Sequence, residues 1–93
     1  MIAFMVEKKI VVKNKLGVHA RPAAMLVKTA TSFRADVLLA REGQIINGKS
    51  IMGVMMLAAN LGSELTISAK GEDEEKAVAA IAKLFEEKFG EAE

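Results

Sequence analysis

The stretch KLGVHARPAA, residues 15 to 24, holds the only histidine in a chain of 93 residues. Gly17 stands two residues before His19, and Arg21 two after it, followed by Pro22 and two alanines. From there Ala23, Leu26, Val27 and Ala30 recur at i, i+3, i+4 and i+7, the stripe of an amphipathic helix beginning near Ala20. Pro22 suits the first turn of that helix, where its missing N–H costs nothing. His19 then sits just outside a helix N-terminus, whose first amides lack partners and carry partial positive charge. Such a setting disfavours an imidazolium, so the ring is expected neutral and nucleophilic at neutral pH. The same amides suit phosphate, Arg21 adds a planar fork of matching geometry, and Gly17 lets the backbone approach closely. A neutral nucleophile beside a ready anion seat is chemistry for taking on and releasing a phosphoryl group. A lone histidine is more often an ordinary surface residue, and composition and spacing alone leave the two readings level.

Two other stretches carry polar signals. GQIINGKS, Gly43 to Ser50, matches the phosphate-binding pattern G-x-x-x-x-G-K-[ST]. The chain is too short for the parallel nucleotide-binding sheet, and no later strand ends in an aspartate to hold magnesium. Ile45 and Ile46 also read as strand rather than as a loop around phosphates. Ser50 is a natural helix N-cap, worth about 1 kcal/mol, and a phosphoserine there would add about −1.5 to −2 of charge without opposing the helix dipole. Ile51, Met52, Met55 and Met56 follow within six residues. At helical spacing they cannot all point one way. Core filling is the default for methionine, and an exposed, adaptable binding patch is the alternative. One histidine and no cysteine leave only carboxylates as metal ligands, and EDEE at 72 to 75 reads as a charged helix start. No metal or cofactor site is expected, and no G-x-S-x-G elbow is present.

The chain must position these groups with a single domain, residues 1–93, of 52% hydrophobic and 27% charged composition. Thirteen basic against twelve acidic residues, with no Trp or Tyr, argue against nucleic acid as a partner. The absence of cysteine excludes disulfides and fits a reducing compartment. The apolar opening MIAFMV stops at EKK, and IMGVMMLAANLG falls short of the ~20 residues of a membrane span. A cytoplasmic protein without membrane insertion is expected, and nothing calls for more than a monomer.

Strands are expected over 6–13, 36–40, 45–47 and 64–69, the middle pair forming a hairpin around Gly43. Helices are expected from Ala20, from Ser50 over IMGVMMLA with Gly62 helping to end it, and within 72–90. The last has acids in its first turn, Val78, Ile81, Leu84 and Phe85 on one side, Lys88 near its end and Gly90 as a stop. The order β-α-β-β-α-β-α predicts an α+β fold, an antiparallel sandwich with helices on one face.

LGVHARPAA followed by NGKSIMGVMMLA closely resembles the HPr family, the histidine-containing phosphocarriers of the phosphoenolpyruvate-dependent sugar phosphotransferase system. The resemblance runs from about Glu7 to Gly90. It implies an open-faced β-sandwich of four antiparallel strands covered on one face by three helices. It also implies that His19 accepts the phosphoryl group on Nδ1, with Arg21 stabilising it. Enzyme I would be the donor and the IIA domains of sugar permeases the recipients, so that the chain is a substrate of enzymes rather than an enzyme. Ser50 matches the serine that an HPr kinase/phosphorylase modifies in some members. Ile51, Met52 and Met55 match the apolar partner-binding patch, which Arg21, Lys28 and Lys49 would edge with positive charge, predicting acidic partner surfaces. Met56 replaces a serine common in one branch of the family, and residues 1–5 form an N-terminal extension without an assignable role.

Overall fold

Alternation of apolar and polar residues sets the sheet. In ELTISAK, Leu65, Ile67 and Ala69 are buried while the residues between them face outward, as the two-residue period of a half-covered strand requires. The computed structural model describes residues 5–93; of the expected extension, residues 1–4 lie outside the described residues. The elements are β1 (Val6–Val11), α1 (Ala20–Thr31), β2 (Asp36–Arg41), β3 (Gln44–Asn47), α2 (Ile51–Met56), β4 (Glu64–Lys70) and α3 (Glu74–Glu86), with a 3-10 turn at Lys88–Gly90. The four strands form one antiparallel sheet in the order β1-β4-β2-β3. The register sets Ile10 opposite Leu65, and Leu39 opposite Ile67. All four side chains are buried on the face that the helices cover. The open-faced sandwich and its element order are those expected.

Helices α1 and α3 meet the sheet through narrow stripes. Ala23, Leu26 and Ala30 of α1 are buried, as are Ala77, Val78, Ile81, Ala82 and Phe85 of α3. The alanines allow close approach, and the bulk comes from Phe85 and Phe89, whose rings meet edge to face with centroids 4.8 Å apart. Leu84, expected on this stripe, is only half-buried. Asp73 ties α3 to the turn before β2: its carboxylate accepts hydrogen bonds from the backbone N–H groups of Arg34 and Ala35. Those two amides hold its carboxyl below the ordinary value.

Two helix ends differ from expectation, each for a backbone reason. Helix α2 ends at Met56, and it is Ala58, at φ 49°, that breaks the helical path. Gly62 serves a later turn, donating its N–H to the Val12 carbonyl at 2.8 Å. Helix α3 stops at Glu86, so Lys88 lies beyond the helix end. Lys88, Phe89 and Gly90 all have positive φ, at 54°, 54° and 77°. Burial of Phe89 holds this costly path in place, and the chain reverses there toward the start of α1.

The phosphate-loop pattern is disposed of by pairing. Gln44–Asn47 is a strand hydrogen-bonded to β2. Gly48 is packed so tightly that a Cβ there would lie 2.7 Å from Cγ1 of Val37, so the segment is paired strand and packed turn rather than an open loop. Truncating the central aromatic tests the packing account. Phe85→Ala is expected to lower stability by about 3–5 kcal/mol, the usual loss for a buried Phe, measured by denaturant unfolding; a loss under about 1 kcal/mol would contradict it.

Candidate functional site

His19 is the N-cap residue of α1, with extended backbone at φ −78° and ψ −172°, and its carbonyl accepts the helix's first hydrogen bond, from Ala23 N–H at 2.9 Å. Ala20, Arg21 and Pro22 are therefore the first helical residues. Pro22 has no N–H to give, which leaves the amides of Ala20 and Arg21 as the unpaired donors at the positive end.

The turn that delivers His19 is built from residues 14 to 18. Asn14 is fully buried, and its amide donates to the Gly17 carbonyl at 2.7 Å, while Gly17 N–H returns a bond to the Asn14 carbonyl at 3.1 Å. Gly17 has φ +69°, and a Cβ there would sit 2.4 Å from the Ala59 carbonyl oxygen, so the position accepts no side chain. Val18 N–H donates to that carbonyl at 2.9 Å. The turn is thereby fastened to the segment that follows α2.

A group that sequence reasoning missed completes the site. After the reversal at Lys88–Gly90, Glu91 brings its carboxylate to the imidazole: Nε2–H of His19 donates to Oε2 at 2.7 Å. Arg21 Nη1 donates to the same oxygen at 3.1 Å, and Asn14 Nδ2 donates to Oε1 at 2.9 Å. Asn14 Oδ1 is buried without a partner among the described residues. Lys15 N–H holds the tail's backbone through the Glu93 carbonyl at 2.6 Å. The His19 side chain is 35% exposed against 17% for Glu91, so the ring is reachable while its carboxylate partner is sheltered. The hydrogen bond from Asn14 is the main cause that holds the Glu91 carboxyl below its ordinary value; the His19 hydrogen bond and the positive charge of Arg21 add to it, and partial burial opposes. The field at the ring thus has two opposed sources, the positive helix end and this carboxylate, of which the sequence signalled only the first. Local pattern could not find Glu91, since it lies past a helix stop and 72 residues from His19. Asn14 carried a faint signal as the first residue of an N-x-x-G turn.

The structure brings His19 and Arg21 together through Glu91, and none of Lys28, Lys49 and Ser50 makes a side-chain hydrogen bond to this group among the described residues. Lys28 is exposed in the last turn of α1, seven residues from Arg21, or about 10 Å along the axis. Ser50 caps α2, its Oγ accepting from Gly53 N–H at 3.0 Å. Lys49 is half-buried, with its ammonium donating to the Phe33 carbonyl at 2.9 Å. Ile51, Met52, Met55 and Met56 are 47%, 75%, 46% and 64% exposed, and only Val54 of α2 is buried. Core filling, the default for these methionines, is overturned: a six-residue helix needs one inward anchor here, and the rest form an apolar surface. Among the described residues no helix is long and apolar enough to cross a membrane.

Comparison with known proteins gives one family. Residues 6–87 match the family described as PTS-HPr, the PTS HPr component phosphorylation site. The phosphocarrier protein HPr of Treponema pallidum is 49% identical over 87 residues, covering 94% of this chain and 99% of that one. The crystal structure of HPr-C-His from Thermoanaerobacter tengcongensis gives a TM-score of 0.92 at 44% identity, covering 95% of this chain and 99% of the other. Crh of Bacillus subtilis, whose crystal structure reveals a swapping domain in a dimer, gives 0.73 at 45% identity, covering 88% and 94%.

The tail contact has a pH signature. Because the folded Glu91 carboxyl lies below its ordinary value of 4.5, the contact contributes fully above that value and is lost as pH falls through the lower folded one. Protonation removes the acceptor that Asn14, His19 and Arg21 share. Following the Glu91 side-chain carboxyl by NMR through an acid titration is expected to give an inflection below 4.5; an inflection at or above it would contradict the contact.

Proposed function

The chain belongs to the HPr family, the phosphocarriers of the phosphotransferase system, and within that family we propose that His19 is the phosphoryl acceptor. It is a carrier, not an enzyme. The observation that carries the proposal is the state of the ring at the start of α1: Nε2 is occupied by Glu91, while Nδ1 makes no hydrogen bond among the described residues. The free amides of the first helical turn and the Arg21 guanidinium supply an anion seat beside it. The phosphoryl group comes from enzyme I, itself charged by phosphoenolpyruvate, and leaves to the IIA domains of sugar permeases in the cytoplasm. One chain suffices as a monomer, since His19, Arg21 and Glu91 all belong to it.

Docking uses the apolar surface of Ile51, Met52 and Met55, with Arg21, Lys28 and Lys49 as its positive edge, so partners present acidic surfaces and association weakens with salt. Exposure of all three apolar side chains supports this reading. Ser50 is the regulatory site, modified by an HPr kinase/phosphorylase. Its Oγ is the acceptor that caps α2, and a phosphate there retains oxygen acceptors for that bond while reversing the charge next to the patch.

Incubation with phosphoenolpyruvate, magnesium and enzyme I is expected to add one acid-labile phosphoryl group by intact mass, and His19→Ala to add none. Equal labelling of His19→Ala would overturn the acceptor assignment. Ser50→Asp is expected to raise the KM for transfer from enzyme I about tenfold, equivalent to ~1.4 kcal/mol of lost docking; an unchanged KM would remove Ser50 from the account.

A further inference from the structure

Resting on the reading of His19 as phosphoryl acceptor, we propose that Glu91 is a positioning residue for the transfer, fixing the ring proton on Nε2 so that the Nδ1 lone pair is the nucleophile. A carboxylate can only accept. At 2.7 Å from Nε2 it admits one tautomer, with the proton between Nε2 and Oε2. Neutral imidazole in water samples both tautomers, and the one with its proton on Nδ1 has no lone pair there to attack phosphorus. It would present Nε2 instead, where the carboxylate stands.

The contact is built into the fold and is not a chance meeting of surface charges. Exposed ion pairs hold two long side chains loosely and contribute little. Here the carboxylate is held from the opposite side by the buried Asn14, whose amide is itself locked to the Gly17 carbonyl. The tail behind it is fixed by the reversal at Lys88–Gly90, by burial of Phe89 and by the Lys15 to Glu93 backbone bond. One residue, Asn14, therefore fixes both the turn that presents His19 and the group that orients its ring. The imidazole Nε2–H and the Arg21 guanidinium both donate to Oε2 of Glu91.

The step balances without moving a proton. The Nδ1 lone pair forms the new N–P bond as the bond from phosphorus to the donor's carrier atom breaks, and that bond's electron pair stays on the donor atom. The His19 ring keeps its Nε2 proton and becomes cationic, with the Glu91 carboxylate already facing it. Discharge to a recipient nucleophile reverses these changes.

The test uses the full chain, 15N-labelled, with Glu91→Ala and, as a control in the same tail, Glu93→Ala, whose carboxylate makes only an exposed pair with Lys15. The wild type and Glu93→Ala are expected to show the His19 Nε2–H proton as a slowly exchanging signal, and Glu91→Ala to lose it while keeping the backbone amide pattern of the fold. Single-turnover transfer from phosphorylated enzyme I is expected to slow about tenfold in Glu91→Ala, with its concentration dependence unchanged, and not at all in Glu93→Ala. A persistent proton signal in Glu91→Ala, or transfer at the wild-type rate, would overturn the role given to Glu91. Failure of the wild type itself to accept a phosphoryl group is a separate result, and it would overturn the reading of His19 on which the role rests.

Discussion

The site depends on the close contact between Gly17 and the Ala59 carbonyl. Only a residue without a side chain, and free to take φ +69°, lets the turn before α1 lie against the segment after α2. That contact allows the Val18 to Ala59 hydrogen bond, which aims the next residue, His19, outward at the start of α1. It also couples two parts of the surface that are distant in sequence. The turn that presents His19 and the exposed apolar helix α2 share a backbone junction, which holds the methionines in a fixed relation to the imidazole.

A second layer of constraint comes from the C-terminus. Three consecutive residues at positive φ are an expensive way to end a helix, and the fold offsets that cost by burying Phe89 against Phe85. What the reversal achieves is the delivery of Glu91. Around the ring, the polar groups divide: backbone amides of the first helical turn lie at the helix start, and the Glu91 carboxylate stands on Nε2. Beside this site lies a surface of exposed apolar side chains on α2, Ile51, Met52, Met55 and Met56.

Much of this was legible in the sequence wherever local rules act alone. The helix start at His19 followed from Pro22 and the 3.6-residue stripe, the Ser50 cap from its place before a helix, and the β2–β3 hairpin from Gly43. Rules of that kind reach one turn in either direction. Glu91 was invisible because its partner is 72 residues away and its path runs through backbone angles that non-glycine residues seldom adopt. Composition and spacing alone leave the methionines of α2 open between core and surface, and only the resemblance places them on the surface. Burial of a short helix is decided by its tertiary neighbours: α2 lies beside α1 and β3, and only Val54 turns inward.

The central claim is that the chain carries its phosphoryl group on one particular nitrogen because the other is held. Recording 15N–31P coupling in the phosphorylated, 15N-labelled chain tests this most directly. The account predicts coupling to Nδ1 of His19, with Nε2 still bearing its proton. Coupling to Nε2 would contradict it.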